Sequence, residues 1–278
     1  MITTPELPLP HVSRGRFASF YAYSDETLFN KCGLRVAFTE REGGISKGPF
    51  SSLNLGLNTP DSLHVVKHNR NLVAQAFGAQ DAPCLAPKQV HGQRICRIRE
   101  EDGAALDTLA AMNSEGLDAL VVERPSVAAL MCFADCMPII IVSPSGRFAM
   151  VHAGWRGVIN EITAHALKCL FACDIEAGFS FDPHCYNVYI GPYIHAECFE
   201  VSVDIHQKFA KKFGNTCVFD ETHIDLGAAL FTTLHNIGID PLRIADVKMC
   251  TVCENEKFFS YRAQQGRCGR HGAFCIKK

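Results

Sequence analysis

The sequence carries almost no net charge: 27 lysines and arginines face 29 aspartates and glutamates, which leaves −2 with histidine neutral. That balance excludes a global electrostatic pull toward nucleic acid or an anionic membrane. Long apolar runs are also missing, and nothing approaches the roughly 20 residues of a membrane span. The longest candidate, residues 127–142, is broken by Asp135 and Pro138. Prolines and a histidine interrupt the first seventeen residues where a secretion signal needs an unbroken apolar stretch, so the chain reads as soluble and cytoplasmic. Internal repeats, low-complexity segments and long linkers are absent, and one domain over residues 1–278 is the economical reading. None of the twelve histidines has another two residues away, which argues against an imidazole-rich cluster of several copper ions.

Cysteine, by contrast, is abundant at fourteen residues. Without a secretion signal these are expected as reduced thiols, and Cys132, Cys169 and Cys173 sit in apolar settings that suit small buried hydrophobes. The overall composition, 47% hydrophobic and 20% charged, is ordinary globular usage and leaves no room for extensive disorder.

Reactive side chains concentrate in residues 133–157. Cys136 precedes the apolar run 139–142, Ser-Pro-Ser-Gly at 143–146 reads as a turn, and residues 148–151 read as a returning strand that ends at His152. Cys136 and His152 are equidistant from Pro144. An odd-length loop centred there sets them opposite each other, and an even one leaves them out of register unless a bulge, most plausibly at Pro138, repairs it. After His152, Ala-Gly-Trp-Arg-Gly opens a helical stripe of Val158, Ile159, Ile162, Ala166, Leu167 and Leu170. The N-terminus of that helix, with Arg156 beside it, reads as an anion site.

Elsewhere, residues 1–30 read as a loosely structured lead-in with a short element at 17–23. A strand at 34–39 runs into Arg41 and the Gly43-Gly44 loop, which reads either as a surface turn or as an anion or nucleoside contact. A helix is expected from Thr59 or Asp61, with His64 and His68 on a solvated face rather than on a metal. Residues 84–98 read as strand material interrupted by Gln89-Val-His91-Gly92, and 100–114 as a polar loop or short helix. Strands are expected at 116–122, 127–133 and 187–190, an amphipathic segment at 200–213, a helix at 223–234 capped near Asp225, and a last core strand at 247–252. Cys250-Thr-Val-Cys253 has the spacing of a zinc knuckle or redox pair, and Cys268 and Cys275 are the candidate companions, although their own spacing is wide for a knuckle.

Taken together, Thr39-Glu-Arg41-Glu-Gly-Gly44, Ser52-Leu-Asn54-Leu-Gly56, Asp61, Asn69-Arg70, Gln89-Val-His91-Gly92, Ala134-Asp-Cys136-Met-Pro138, His152-Ala-Gly-Trp-Arg-Gly157, Gly191-Pro192, Cys250-Thr251, Phe259-Ser-Tyr-Arg262 and Gly269-Arg270 resemble the YfiH-like, or laccase-domain, proteins of purine nucleoside metabolism. The resemblance covers residues 34–275. It implies an α+β fold with α/β/β/α layers and mixed β-sheets, the YfiH-like and CNF-toxin-like arrangement. It further implies one zinc held by His91, Cys136 and His152, three ligands with an open fourth position. The implied reactions are phosphorolysis of adenosine, inosine, guanosine and methylthioadenosine, and deamination of adenosine, so the partners are purine nucleosides and phosphate. Cys136, Asp135 and Arg41 become the catalytic candidates, and Arg41, Asn54, Gln89, Arg156, Thr251 and Arg262 the substrate-binding ones. Asp135 reads either as a proton shuttle or as a residue that orients a ligand histidine. Two departures from the family pattern fall in the tail: Ala263 follows Arg262, and Cys268 stands where relatives carry threonine.

A different class remains open on the same residues. Cys136 with His152 as its base makes a cysteine hydrolase, of the kind linked to editing of cell-wall precursors. Copper in place of zinc, as in a polyphenol oxidase, is the weaker reading because His-x-His pairs are absent. A binding module that holds a nucleoside without turnover is the bland alternative.

Overall fold

The computed structural model describes residues 6–99, 116–179 and 182–278. In chain order its strands are β1 (Ser13–Phe17), β2 (Phe20–Ser24), β3 (Leu34–Thr39), β4 (Cys84–Leu85), β5 (Ile95–Ile98), β6 (Ala119–Val122), β7 (Ala128–Phe133), β8 (Met137–Val142), β9 (Phe148–Ala153), β10 (Asn187–Ile190), β11 (Ile244–Asp246) and β12 (His271–Lys277). The helices are α1 (Glu26–Cys32), α2 (Leu63–Ala76), α3 (Trp155–Ile159), α4 (Ile162–Glu176), α5 (Val203–Phe213) and α6 (Leu226–Ile237).

The strands form two six-stranded mixed sheets, in the orders β1-β2-β3-β12-β7-β4 and β11-β10-β8-β9-β6-β5. The apolar strands explain why they stack. Along β8, Met137, Ile139 and Ile141 pack with Leu167, Leu170, Leu230 and Leu234 of the helices, while Ile140 and Val142 pack with Val36, Phe38 and Met131 of the other sheet. A strand buried on both faces needs an unbroken run of β-branched residues, which is what 139–142 supplies. On the outer face of the first sheet, Ala37, Leu130, Phe274 and Ile276 pack against Val73 and Phe77 at α2. The result is the α/β/β/α layering that the resemblance implies, with α2 on one side and α4 and α6 on the other. Among the described residues no helix is long and apolar enough to cross a membrane.

Several local expectations are met. Asp225 caps α6 by accepting from the Ala228 N–H, and Gly238 ends it at φ +91°. His64 and His68 are exposed on α2. Others are corrected. Within residues 6–30, where a loose lead-in is expected, β1 and β2 form a hairpin and Asp25 caps α1. Helix α2 begins after Ser62, not at Thr59 or Asp61, because both side chains are used by Asn54 instead. The single stripe expected after His152 is broken at Glu161, whose φ of +54° separates α3 from α4. Residues 247–252 are irregular, with a single bridge at Cys250 and a turn from Thr251, rather than a strand, and the last strand is β12, paired between β3 and β7. The 100–114 expectation lies outside the described residues.

Candidate functional site

Two connections cross from the first sheet to the second, and each carries a reactive residue. Residues 134–136 join β7 to β8 and bring Asp135 and Cys136, while residues 86–94 join β4 to β5 and bring His91. The segment expected as one interrupted strand is thus two strands in different sheets, with the interruption doing the crossing. His91 and Asp135 both hold left-handed backbone, at φ +58° and +88°, a strained state that persists where the surroundings enforce it.

The third residue, His152, lies on β9. Five residues separate the pair Val142–Phe148, so the hairpin loop is odd in length and centred on Ser145 rather than Pro144. His152 therefore faces Pro138, and Cys136 lies two positions beyond, diagonal to His152 and on the same face. No bulge at Pro138 is needed. Cys136 Sγ is 3.6 Å from His91 Nε2, and the two imidazole rings meet edge-on at 4.8 Å. The donor atoms of His91, Cys136 and His152 all lie within 4.8 Å of one another, which makes a cluster able to hold a metal ion.

What aims these donors is Asp118, fully buried at the start of β6. Its carboxylate accepts the N–H groups of Val90, His91 and Gly92 at 3.2, 2.9 and 2.6 Å and lies 2.7 Å from His152 Nδ1. Burial alone raises the carboxyl, but His152 and the backbone N–H groups outweigh it and hold it below the usual range. An ionised Asp118 accepts only, so His152 Nδ1 carries the proton and Nε2 is left for a ligand. Burial likewise raises the Cys136 thiol, yet His152 and His91 lower it to about 6. For His152, burial lowers the imidazole, and Cys136 and Asp118 override that to raise it to about 9.

The cluster has little spare room. A Cβ on Gly154 sits 3.0 Å from His91 Cδ2 and 3.1 Å from Cys136 Sγ. Gly154→Ala is therefore expected to push a donor aside and weaken metal affinity roughly tenfold, the lower end of what disturbing a ligand's surroundings does. Competition with a chromogenic chelator measures it, and an affinity equal to that of the parent contradicts the packing account.

The cluster opens into a cleft of about 630 Å³. Of the candidate residues, Gln89, His91, Asp135, Cys136, His152 and Arg262 line it. Gln89 is fastened to the backbone of Cys132 by two hydrogen bonds of 2.8 and 2.9 Å. Asp135 accepts from Thr251 Oγ1 at 2.7 Å and from the Arg262 N–H at 2.6 Å, and Thr251 itself is buried and lines neither cavity. Arg156 lines a smaller adjoining cavity of about 300 Å³ that shares His91, Asp135 and Cys136, and its guanidinium lies 4.3 Å over the Trp155 ring. The helix that follows has only five residues, so the anion site expected at its N-terminus has no long helix behind it.

Arg41 and Asn54 do not line either cavity. Arg41 donates to the carbonyls of Ser51 and Asn255 at 3.0 and 2.7 Å and stacks over Phe259, clamping distant segments together. Asn54 is fully buried, donating to Thr59 Oγ1 and Asp61 and accepting from the N–H groups of Gly56 and Arg270. It positions Thr59 and Arg270, which do line the cleft. The cations there that the candidate set omits are Arg70, Lys88 and Arg270. Arg70 and Arg270 stand in the quoted motifs, so a signal existed for them. Asp118 is a lone aspartate before a strand and gave none. Cys268 and Cys275 are not companions of Cys250 and Cys253: Cys275 lies in the core between the sheets and Cys268 beside Arg270, and the partners found instead are Glu197 and Cys198.

With this geometry in hand, the chain matches the family model described as multi-copper polyphenol oxidoreductase laccase over residues 35–278. It is 29% identical over 271 residues to a purine nucleoside phosphorylase of Staphylococcus epidermidis, covering 95% of this chain and 99% of that one. It is 33% identical over 254 residues to the purine nucleoside phosphorylase YlmD of Geobacillus stearothermophilus, covering 87% and 89%. Its structure is similar to that of the hypothetical protein YfiH of Bacillus licheniformis, with a TM-score of 0.81, 27% identity, and 94% and 97% of the two chains covered.

Proposed function

Because the chain belongs to this laccase-domain, YfiH-like family, whose relatives carry the name purine nucleoside phosphorylase, we propose that it cleaves purine nucleosides with phosphate and deaminates adenosine in the same cleft. The observation that carries this reading is the joining, in one cleft, of the His91–Cys136–His152 cluster with four cations, Arg70, Lys88, Arg262 and Arg270. Among the described residues Asp135 is the only carboxylate lining that cleft, and both its oxygens already accept hydrogen bonds. Such a surplus of positive charge in a concave site suits an oxyanion. Phe199, Tyr261 and Ile194 add the apolar wall that a purine ring needs.

Two nitrogens and one sulfur, with His152 held in one tautomer by Asp118, fit zinc. Bound there, zinc supplies a Lewis acid with an open coordination position. The chain's own residues do the rest. Arg70 and Arg270 are anchored by the carbonyls of Leu55 and of Cys268 and Gly269, so their charges are preorganised to hold phosphate. In phosphorolysis a phosphate oxygen forms the bond to C1′ as the bond from C1′ to N9 breaks, and the base leaves with the electron pair. In deamination the oxygen of water replaces N6 at C6 and ammonia leaves. Methylthioadenosine, inosine and guanosine fall within the same phosphorolysis.

The assignment of the cations is testable. Arg270→Ala is expected to raise the KM for phosphate at least tenfold, about 1.4 kcal/mol, while Arg41→Ala is expected to alter stability more than KM. A phosphate KM unchanged in Arg270→Ala and raised in Arg41→Ala reverses the map.

A second reading is favoured by one observation, the closeness of Cys136 and His152, whose donor atoms lie within 4.8 Å of each other, with burial outweighed by their mutual attraction, which lowers the thiol and raises the imidazole. Without metal that is a thiolate–imidazolium pair, the reactive form of a cysteine hydrolase acting on an amide. It leaves His91 and the four cations without a task, which is why it ranks second.

A further inference from the structure

We propose that Glu197, Cys198, Cys250 and Cys253 form a second metal site, for zinc, that fastens the back wall of the cleft. The site shares no residue with the His91–Cys136–His152 cluster. Residues 193–200 and 249–254 run side by side: Tyr193 bridges Cys250, the Tyr193 N–H donates to the Met249 carbonyl at 3.3 Å, and the Thr251 N–H to the Tyr193 carbonyl at 3.0 Å. This pairing brings three thiols and one carboxylate together, with all four donor atoms within 4.8 Å of one another. Cys198 and Cys253 have their sulfurs 3.6 Å apart, and Cys253 Sγ lies 3.9 Å from Glu197 Oε1.

The 3.6 Å between the two sulfurs is close to the edge of a coordination tetrahedron. A zinc–sulfur bond of about 2.3 Å places two tetrahedral sulfur ligands about 3.8 Å apart. A disulfide needs about 2.05 Å between sulfurs, and Cys198, Cys250 and Cys253 are all free thiols. Three sulfurs with a carboxylate is a donor set that zinc accepts, and the two-residue spacing of Cys250 and Cys253 is the usual half of a zinc knuckle. An outer partner is present as well: the His195 N–H points at Cys250 Sγ from 3.4 Å, as a donor to a coordinated thiolate does.

The position gives the metal a task. Thr251, between the two cysteines, donates to Asp135. Phe199, next to Cys198, lines the cleft. Arg262 donates to the carbonyls of Cys198 and Glu200 at 3.2 and 2.9 Å. A metal joining the two segments therefore fixes three groups that face the nucleoside.

The test counts zinc by plasma mass spectrometry in full-length protein dialysed against metal-free buffer. The expected result is two zinc per chain in the parent, one in Cys198→Ser/Cys253→Ser and one in His91→Ala. A single zinc that His91→Ala removes and the double variant keeps overturns this proposal and leaves the first site standing. A single zinc with the opposite behaviour leaves this site standing and removes the first. The unmodified chain gives a second readout that does not depend on the folding of the double variant: alkylation of the exposed Cys253, mapped by peptide mass. Loading zinc is expected to slow it at least tenfold, and chelation to restore the rate. Equal rates with and without zinc overturn the proposal, as does a cross-linked peptide two hydrogens lighter that joins Cys198 to Cys253, which marks a disulfide.

Discussion

His91→Ala is expected to remove the metal from the catalytic cluster and to lower phosphorolysis at least a thousandfold, about 4 kcal/mol of transition-state stabilisation. The expectation rests on His91 Nε2 lying 3.6 Å from Cys136 Sγ within a three-donor cluster. Two donors hold zinc far less tightly than three, because a third ligand closes the site with little further loss of freedom once its loop is already fixed. The loop is fixed: the His91 N–H is bound by Asp118 at 2.9 Å whether or not the imidazole is present. This substitution separates the two functional readings where Cys136→Ala does not, since loss of the thiol silences both. A cysteine hydrolase keeps its Cys136–His152 pair in His91→Ala. Substantial turnover in that variant, with no metal at the Cys136–His152 pair, favours the hydrolase.

Asp118→Ala carries the second largest expected effect, and it acts on both stability and metal affinity. The carboxylate satisfies three backbone N–H groups and the His152 ring in a site closed to solvent. Leaving buried donors without an acceptor costs about 1–3 kcal/mol each, so a loss of roughly 3 kcal/mol or more in unfolding free energy is expected after partial relaxation. Metal affinity is expected to fall 10–100-fold, because His152 loses the partner that fixes its tautomer. Asp118→Asn makes the finer test: it keeps one acceptor oxygen but turns an amide N–H₂ toward donors such as the Gly92 N–H at 2.6 Å. Chemical denaturation and chelator competition read the two effects separately. An Asp118→Asn chain with parental stability and affinity contradicts the role given to this carboxylate.

Cys136 and His152 were legible in the sequence because Ala134-Asp-Cys136 and His152-Ala-Gly-Trp stand at the two ends of one hairpin, whereas Gln89-Val-His91-Gly92 only breaks a strand pattern and its histidine joined the cluster through the family resemblance. Neither the parity nor the centre of the hairpin was readable, since odd and even loops fit the turn residues equally well; the five-residue loop closes through Ser143 N–H to the Arg147 carbonyl rather than around Pro144. Longer-range relations were not readable. Arg41 beside two glycines has the local look of a ligand loop, but its guanidinium is taken by the carbonyl of Asn255, 214 residues away. Asp118 reaches His91 and His152 only after two sheets assemble. For the same reason β12 escaped notice, because its place between β3 and β7 depends on strands more than 130 residues earlier.

The central claim is that phosphate held by Arg70, Lys88, Arg262 and Arg270 attacks a nucleoside beside the His91–Cys136–His152 cluster. The most direct measurement is the stoichiometry of phosphate consumption against base release in zinc-loaded protein supplied with inosine. The account predicts one phosphate consumed and one ribose 1-phosphate formed for each hypoxanthine released, with no release when phosphate is withheld. Hypoxanthine released at the same rate without phosphate contradicts it.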